Sequence, residues 1–237
     1  MDLGLDGKVA LVTAASRGLG RGAALALAAE GCRVAICARG DEGLRATAAE
    51  LGADTLAVPA DVTDPAAPRR LVDATVERFG GLDVLVANAG GPPRARALEV
   101  EDAPMLEAVN ANMLASIRLV REAVPHMRAA GWGRIVLITS SAVKQPIPDL
   151  AYSNAARTGL WGWAKTAAQD LVDDGVTLNL VCPGLHATDR VRELGHTGRL
   201  GDPEDFGRVV AFLCSASAGF VSGAALQVDG AGTLGLL

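Results

Sequence analysis

Short runs of Val, Ile and Leu alternate along this chain with longer segments of helical periodicity. The runs are apolar almost throughout, which is the pattern of strands covered on both faces. Because right-handed crossovers lay helices on both faces of a sheet, the alternation predicts an α/β fold built on one doubly wound parallel sheet. The predicted strands are Lys8–Thr13, Arg33–Ala38, Asp54–Pro59, Leu82–Ala87, Arg134–Thr139, Val176–Val181 and Ala225–Val228. The predicted helices are Gly18–Glu30, Glu42–Leu51, Ala66–Phe79, Asp102–Ala130, Tyr152–Asp173 and Pro203–Ser215.

The composition is that of one domain spanning residues 1–237. Half of the residues are hydrophobic and 21% are charged, so the chain can bury a core and keep a polar surface. No apolar run approaches the roughly 18 residues of a membrane span, and the first residues lack the basic and apolar regions of a signal peptide. We therefore expect a cytoplasmic protein that does not bind membranes.

Charge and cysteine placement exclude two further classes of function. The net charge of -5 is spread along the chain, and only 3% of the residues are aromatic, so nucleic-acid binding is not expected. The cysteines show no Cys-x-x-Cys or Cys/His pairing, which predicts buried reduced thiols and no metal site. They are Cys32, Cys37, Cys182 and Cys214.

A glycine-rich turn follows the first predicted strand and opens the first helix. In this context backbone N–H groups can meet a pyrophosphate at a helix N-terminus. A plain strand-to-helix turn is the alternative interpretation of the same residues. The turn residues predicted to bind a cofactor are Thr13, Ser16, Arg17, Gly18, Leu19 and Gly20.

Polar and small residues recur at the predicted carboxyl ends of later strands, where open α/β sheets bind ligands. They are Asp61 with Val62, Asn88 with Ala89 and Gly90, and Pro183 with Gly184 and Thr188. With Asn112 in the long helix and the segments Arg199–Asp205 and Val228–Gly230, the chain resembles the short-chain dehydrogenase/reductase superfamily along nearly its whole length. Within it, the chain looks like the members similar to 3-oxoacyl-carrier-protein reductase.

The resemblance implies a Rossmann-type fold and a nicotinamide cofactor in the cleft. It places Asp61 and Val62 at the adenine, Asn88 at the cleft wall and Thr188 near the nicotinamide carboxamide. Asp61 could instead cap the next helix, and Asn88 could only brace a strand end. The family fingerprint carries glycine where Ala14 stands, so this tight turn must accommodate a methyl group.

Cofactor choice follows from charge just past the second predicted strand. An acidic residue there would bond the ribose hydroxyls and repel a 2′-phosphate, whereas arginine attracts it. The chain has Arg39 in that region and Arg17 in the glycine-rich turn, with no acid beside them. This predicts a preference for NADP (NADPH) over NAD, although both could be solvated surface arginines.

The family's reaction uses a serine, a tyrosine and a lysine four residues after the tyrosine. The resemblance assigns Ser140 and Tyr152 to the first two, but Ala156 stands where the lysine should be. The lysine matters because a tyrosine phenol titrates near pH ~10 without a neighbouring positive charge. The resemblance also gives Asn112 a role in holding a helix distortion and a water for proton relay.

Three cations could replace the missing lysine. Arg157 is offset by one residue, which rotates its side chain by about 100° around the helix, and Lys165 lies two turns further along. Lys144, in the loop after Ser140, is therefore the preferred substitute and the fourth predicted catalytic residue. The alternative for Lys144 is a solvated loop lysine.

The predicted substrate is a small-molecule carbonyl or alcohol. The family's substrate lid corresponds to residues 189–198 and is short, so it cannot bury much of a long substrate. The resemblance also implies a homodimer or homotetramer. The favoured function is hydride transfer between NADP(H) and a carbonyl or alcohol, as in 3-oxoacyl reductases. The alternatives are a catalytically impaired cofactor-binding or interaction protein, and a non-redox lyase or isomerase that uses Tyr152.

Overall fold

Seven parallel strands form one sheet in the computed structural model, which describes residues 2–193, 195–196 and 198–235. The strand order is β3-β2-β1-β4-β5-β6-β7, and every neighbouring pair is parallel. This confirms the predicted doubly wound sheet. The strands are β1 (Val9–Thr13), β2 (Arg33–Ala38), β3 (Leu56–Pro59), β4 (Val84–Ala87), β5 (Gly133–Ile138), β6 (Val176–Pro183) and β7 (Ala225–Val228).

The predicted helices are present, with differences at their ends and in one interior, and the short helix Asp189–Glu193 was not predicted. The predicted helix Asp102–Ala130 contains a π-helical segment, Asn110–Leu114, that divides it. The helices are α1 (Gly18–Ala29), α2 (Asp41–Leu51), α3 (Ala67–Phe79), α4 (Asp102–Val109), α5 (Ala115–Ala130), α6 (Ala151–Asp170), α7 (Asp189–Glu193) and α8 (Pro203–Cys214). Single 3₁₀ turns also occur at Ala97–Glu99, Ser141–Val143 and Val172–Asp174.

The hydrophobic core consists of two clusters, one on each face of the sheet. Leu71 of α3, Leu119 of α5 and Leu160 of α6 belong to the first cluster. Leu27 of α1 and Phe206 of α8 belong to the second. Covering both faces explains why the strands have continuous apolar runs instead of alternating ones.

The contact between α1 and α8 fixes the start of α1 relative to the sheet. A Cβ at Gly22 would lie 2.1 Å from the carbonyl oxygen of Pro203, and one at Gly207 would lie 2.1 Å from the carbonyl oxygen of Gly22. Only glycine permits this approach of the two backbones. The close packing holds the glycine-rich turn above the carboxyl end of β1.

Strand β1 lies between β2 and β4, so the order of the sheet reverses there. A crevice forms at such a point outside the carboxyl ends of the strands. This crevice is where the predicted cofactor residues should meet. Within the described residues, none of the helices combines the length and the apolar character needed to cross a bilayer.

Candidate functional site

The turn from β1 to α1 is tight, and its conformation explains its sequence. Ala14 has a φ of 48°, in the left-handed region that glycine adopts more easily. A Cβ at Gly20 would lie 2.5 Å from the carbonyl oxygen of Ala14 and 2.8 Å from Nδ2 of Asn88. Gly20 therefore has no room for a side chain, whereas Ala14 keeps its methyl group in a strained conformation.

Thr13 and Asn88 join the ends of the two central strands. The Thr13 hydroxyl donates to the Asn88 carbonyl oxygen at 2.8 Å and accepts from the Asn88 backbone nitrogen at 2.8 Å. Asn88 Nδ2 also donates to the carbonyl oxygen of Ala14 at 3.3 Å. The bracing role considered for Asn88 is thus present, and Asn88 also lies at the wall of the crevice, with Ala89 and Gly90 following it.

The rim of the turn is positively charged. Arg17 precedes α1 in an extended conformation and is exposed, as is Arg39 after β2. In the part of the chain that the structure describes, no carboxylate pairs with either arginine. The first turn of α1 has no acidic residue, so charge and helix dipole both favour an anion here.

Ser16 and Leu19 lie within the turn and are half-buried. The Ser16 carbonyl oxygen accepts from the Thr47 hydroxyl at 3.3 Å, which ties the turn to α2. Gly18 has a φ of 59°, and a Cβ there would lie 3.3 Å from Thr188. The structure thus brings Thr188, predicted near the nicotinamide, against the glycine-rich turn.

Asp61 begins a local turn after β3. Its Oδ1 accepts from the Thr63 backbone nitrogen at 2.9 Å and from the Thr63 hydroxyl at 2.8 Å, while Val62 joins the core. Asp61 thus closes a turn ahead of α3 and does not cap that helix, whose N-cap residue is Ala66 with no side-chain cap bond. The adenine role of Asp61 and Val62 stays a prediction.

The end of β6 supplies the opposite wall of the crevice. Pro183 is the last residue of this strand, and a Cβ at Gly184 would lie 2.8 Å from Cα of Asp229. Glycine is therefore required where the segment after β6 passes the segment after β7. Beyond it, Arg190 of α7 donates to the carbonyl oxygen of Pro92 at 3.1 Å, so part of the predicted lid closes over the loop after β4.

The predicted lid, residues 189–198, is only partly helical. Its first five residues form α7, in which Arg192 pairs with Asp189. Leu194 and Thr197 lie outside the described residues.

Two of the predicted catalytic residues, Ser140 and Asn112, lie after β5 and in the π-helical segment. Ser140 follows β5, and its Oγ accepts from the Ala142 backbone nitrogen at 3.1 Å. Asn112 is buried in the π-helical segment, where its Nδ2 donates to the Ala108 carbonyl oxygen at 3.3 Å. Its Oδ1 is buried without a protein partner, which is where a bound water would be expected. The predicted helix distortion is therefore present.

Tyr152 and Lys144 point to different neighbours. The Tyr152 hydroxyl oxygen accepts from the Glu101 backbone nitrogen at 2.9 Å. The Lys144 ammonium lies 4.3 Å from the ring centre of Trp161. Among the described residues, no hydrogen bond joins Lys144 to Tyr152, so Lys144, which is partly exposed, is not a direct partner of the phenol. A cation–π contact holds it instead.

Arg157, the cation offset by one residue from the expected lysine position, is buried. It is 7% exposed, and its Nη1 donates to the carbonyl oxygens of Ile138 at 3.2 Å and Thr139 at 2.9 Å. Burial, followed by the charge of Arg190, lowers the pKa of this guanidinium to about 10. Spacing from Tyr152 did not favour Arg157, because that comparison took Tyr152 as the residue that faces the end of β5.

Burial raises the pKa of the Cys182 thiol, which also bonds Thr139. In the described ranges, no group of three or more His, Cys, Asp or Glu side chains is placed to hold a metal ion. The turn before α1 carries exposed Arg17, and the start of α6 carries buried hydroxyls with the buried cation Arg157.

Comparisons with known proteins agree with this geometry. The sequence profile of a family described as enoyl-(acyl carrier protein) reductase matches residues 13–233. The 3-oxoacyl-(acyl-carrier-protein) reductase of Escherichia coli is 33% identical over 239 residues, covering 96% of this chain and 98% of the relative. Dehydrogenase/reductase SDR family member 4 of Bos taurus is 32% identical, covering 95% and 87%. The L-sorbose reductase of Gluconobacter frateurii, complexed with NADPH and L-sorbose, superposes with a TM-score of 0.91 at 30% identity, covering 97% of this chain and 98% of that chain.

Proposed function

This chain belongs to the short-chain dehydrogenase/reductase family, and we propose that it transfers a hydride between NADP(H) and a small carbonyl or alcohol substrate. The observation that carries the proposal is the tight turn at Gly20, packed against Ala14 and Asn88 at the reversal point of the sheet. This packing leaves the backbone N–H groups at the start of α1 facing the crevice, where a pyrophosphate would bind. Relatives that reduce 3-oxoacyl groups and L-sorbose support the reaction class.

The residues present fit a dinucleotide. The turn residues Thr13 to Gly20 would hold the pyrophosphate, and Asp61 with Val62 would lie at the adenine. Asn88, Ala89 and Gly90 would form one wall, and Pro183, Gly184 and Thr188 the other. The close approach of Gly18 to Thr188 supports this assignment, because residues predicted to bind the pyrophosphate and the nicotinamide lie within reach of one cofactor.

NADPH is the proposed cofactor in preference to NADH. Arg17 and Arg39 are exposed on the rim, where a 2′-phosphate would lie, and no carboxylate of the described residues neutralises them. Guanidinium groups bind phosphate through paired charge-assisted hydrogen bonds. The L-sorbose reductase neighbour is complexed with NADPH, which supports the same choice.

The bound cofactor supplies the hydride, and the protein must position the carbonyl and manage one proton. In the proposed arrangement the Ser140 hydroxyl holds the substrate oxygen. A hydroxyl at the start of α6 supplies the proton, for which the sequence predicts Tyr152. Asn112, with its unpartnered buried Oδ1, would hold the water that replenishes it, and Lys144 stays a predicted relay residue. Ala156 makes this active site atypical, because the family's lysine is absent one turn after Tyr152.

Association and location are further parts of the proposal. An apolar groove between α5 and α6, lined by Val124, Trp163 and Leu171 among others, supports pairing of two copies along these helices. A homodimer or homotetramer and a cytoplasmic location both stay predictions.

An activity assay tests the proposed function. Purified protein is mixed with NADPH and a panel of small ketones and 3-oxoacyl thioesters, and NADPH absorbance is followed. We expect turnover with at least one carbonyl and a loss of about a hundredfold or more in kcat for Ser140→Ala. Ser217→Ala, an exposed serine after α8, is the matched control. NADPH binding without any turnover would favour the catalytically impaired alternative.

A further inference from the structure

Two hydroxyl side chains lie next to each other at the start of α6. Tyr152 and Ser153 are 4% and 6% exposed. Successive residues of an α-helix point about 100° apart, so these two hydroxyls belong to different faces. Four residues after Tyr152 the helix carries Ala156, whereas four residues after Ser153 it carries Arg157. At the start of α6, a hydroxyl and a cation one turn apart therefore occur on the face of Ser153 and not on the face of Tyr152.

Arg157 is directed at the end of β5 that leads into Ser140. Its Nη1 bonds the carbonyl oxygens of Ile138 and Thr139, the two residues before that serine. Within the described ranges no carboxylate pairs with Arg157, and its Nε is buried without a partner. A buried cation without an anion is costly. An oxygen that gains negative charge during a reaction beside it would supply the missing counter-charge.

Tyr152 is directed at a different element. Its hydroxyl oxygen bonds the backbone nitrogen of Glu101, the residue that precedes α4. The next polar side chain of α6 also has a structural partner, since Asn154 bonds both the backbone nitrogen and the carbonyl oxygen of Ile147. These bonds attach the start of α6 to α4 and to the loop after β5. They give Tyr152 a tethering role.

We propose that Ser153 and Arg157 form the hydroxyl–cation pair of this active site. Each lies one residue after the position that the family resemblance assigned, Tyr152 and Ala156 respectively. The inference rests on the proposed function and changes its site assignment. Tyr152 then holds α4, and Lys144 stays on Trp161. Ala156 is not a lost lysine, because the active-site face of α6 does not include it.

The proton balance of this arrangement is simple. The carbonyl carbon accepts the hydride, and the substrate oxygen takes the Ser153 proton as the O–H bond of that serine breaks. Ser153 regains a proton from solvent water, so each turnover consumes one proton from solution. The charge of Arg157 stabilises the substrate oxygen while it is negative.

NADPH affinity gives a test that does not depend on turnover. We expect Arg157→Met to weaken NADPH binding about tenfold or more, since a buried positive charge beside the proposed binding crevice of this anionic cofactor is lost, and Arg157→Lys to restore most of it. Ser217→Ala, at the exposed serine after α8, should leave the affinity within about twofold. Thermal unfolding of each variant identifies any that do not fold. Unchanged NADPH affinity in folded Arg157→Met would overturn the assignment.

The kcat values of two hydroxyl variants give the second test. Ser153→Ala should reduce kcat about tenfold or more at saturating substrate and by a larger factor than Tyr152→Phe, which should act mainly by lowering the unfolding temperature. The reverse pattern would return the role to Tyr152 and overturn the proposal. Wild-type protein that binds no NADPH would refute the proposed function itself. Wild-type protein that binds NADPH without turnover leaves the affinity series to decide this assignment alone.

Discussion

The Thr13 hydroxyl and the Asn88 backbone exchange two hydrogen bonds of 2.8 Å. The ladder between β1 and β4 ends at Val12 and Val86, so this side chain extends the pairing of the two central strands beyond their last backbone partners. The same bonds fix Asn88, whose amide holds the carbonyl oxygen of Ala14. The floor of the cofactor crevice therefore depends on one buried hydroxyl.

Replacing that hydroxyl should reduce stability. We expect Thr13→Val to lower the free energy of unfolding by about 1–3 kcal/mol, because the Asn88 backbone groups lose their buried partner. Thr177→Val in β6 is the matched control, since the Thr177 hydroxyl is buried without a protein partner and its removal should be neutral or stabilising. Urea denaturation measures both. Equal losses in the two variants would show that the Thr13 bonds contribute nothing specific.

A side chain at Gly20 should disrupt the turn. The added Cβ of Gly20→Ala would lie 2.5 Å from the carbonyl oxygen of Ala14, so the turn must open, and NADPH binding should fall below detection in calorimetry. Gly162→Ala in α6 is the control, because nothing lies within 4 Å of its added Cβ. It should bind NADPH normally and gain about 1 kcal/mol of stability. Normal NADPH affinity in Gly20→Ala would contradict the assigned pyrophosphate site.

Ala14 should be more stable as glycine. Its φ of 48° costs an alanine roughly 1–2 kcal/mol, more than the entropy that glycine adds to the unfolded chain. We expect Ala14→Gly to raise the free energy of unfolding by about 0.5–1 kcal/mol. Ala24→Gly, inside α1, should instead lower it by about 1 kcal/mol. The unfolding temperatures of the two variants should shift in opposite directions from that of the wild type. A lower unfolding temperature in both variants would show that the Ala14 backbone is not strained.

Stability should fall in alkaline solution partly through Cys37. Burial raises the pKa of this thiol from 9.0 to about 12, so above pH 9 the unfolded chain loses a proton that the folded chain keeps. The thiol's contribution is complete below pH 9 and is lost as the pH rises through 12. Denaturation between these limits should show a shallower decline for Cys37→Ala than for wild type. Identical slopes would mean that Cys37 ionises equally in both states.

The fold could be predicted from the sequence because its signals are local. Buried parallel strands must be apolar along their whole length, and every predicted strand lies in the observed sheet within one or two residues at most ends. The Asn110–Leu114 distortion was expected only through the resemblance, since a π turn leaves no periodic signal. The 3₁₀ turn after Ser140 was not predicted.

The reaction end was less predictable because it depends on which way side chains point. Lys144 was a reasonable substitute by spacing, but its position is set by its contact with Trp161 in the middle of α6. Helical spacing from Tyr152 predicted that Arg157 points away from the lysine position. In the structure its guanidinium bonds the carbonyl oxygens at the end of β5. Helical spacing fixes the angles between side chains of α6, but the packing of α6 on the sheet determines which side chains face β5.

We predict that this crevice binds NADPH through Arg17 and Arg39. Calorimetric titration of the wild-type protein with NADPH and, separately, with NADH tests it most directly. We predict tighter NADPH binding by roughly 1–3 kcal/mol, as expected for charge-assisted hydrogen bonds to the 2′-phosphate. Arg17→Gln with Arg39→Gln should remove the difference, whereas Arg45→Gln, on an exposed arginine paired with Asp41, should not. Equal affinities, or tighter binding of NADH by the wild-type protein, would contradict the account.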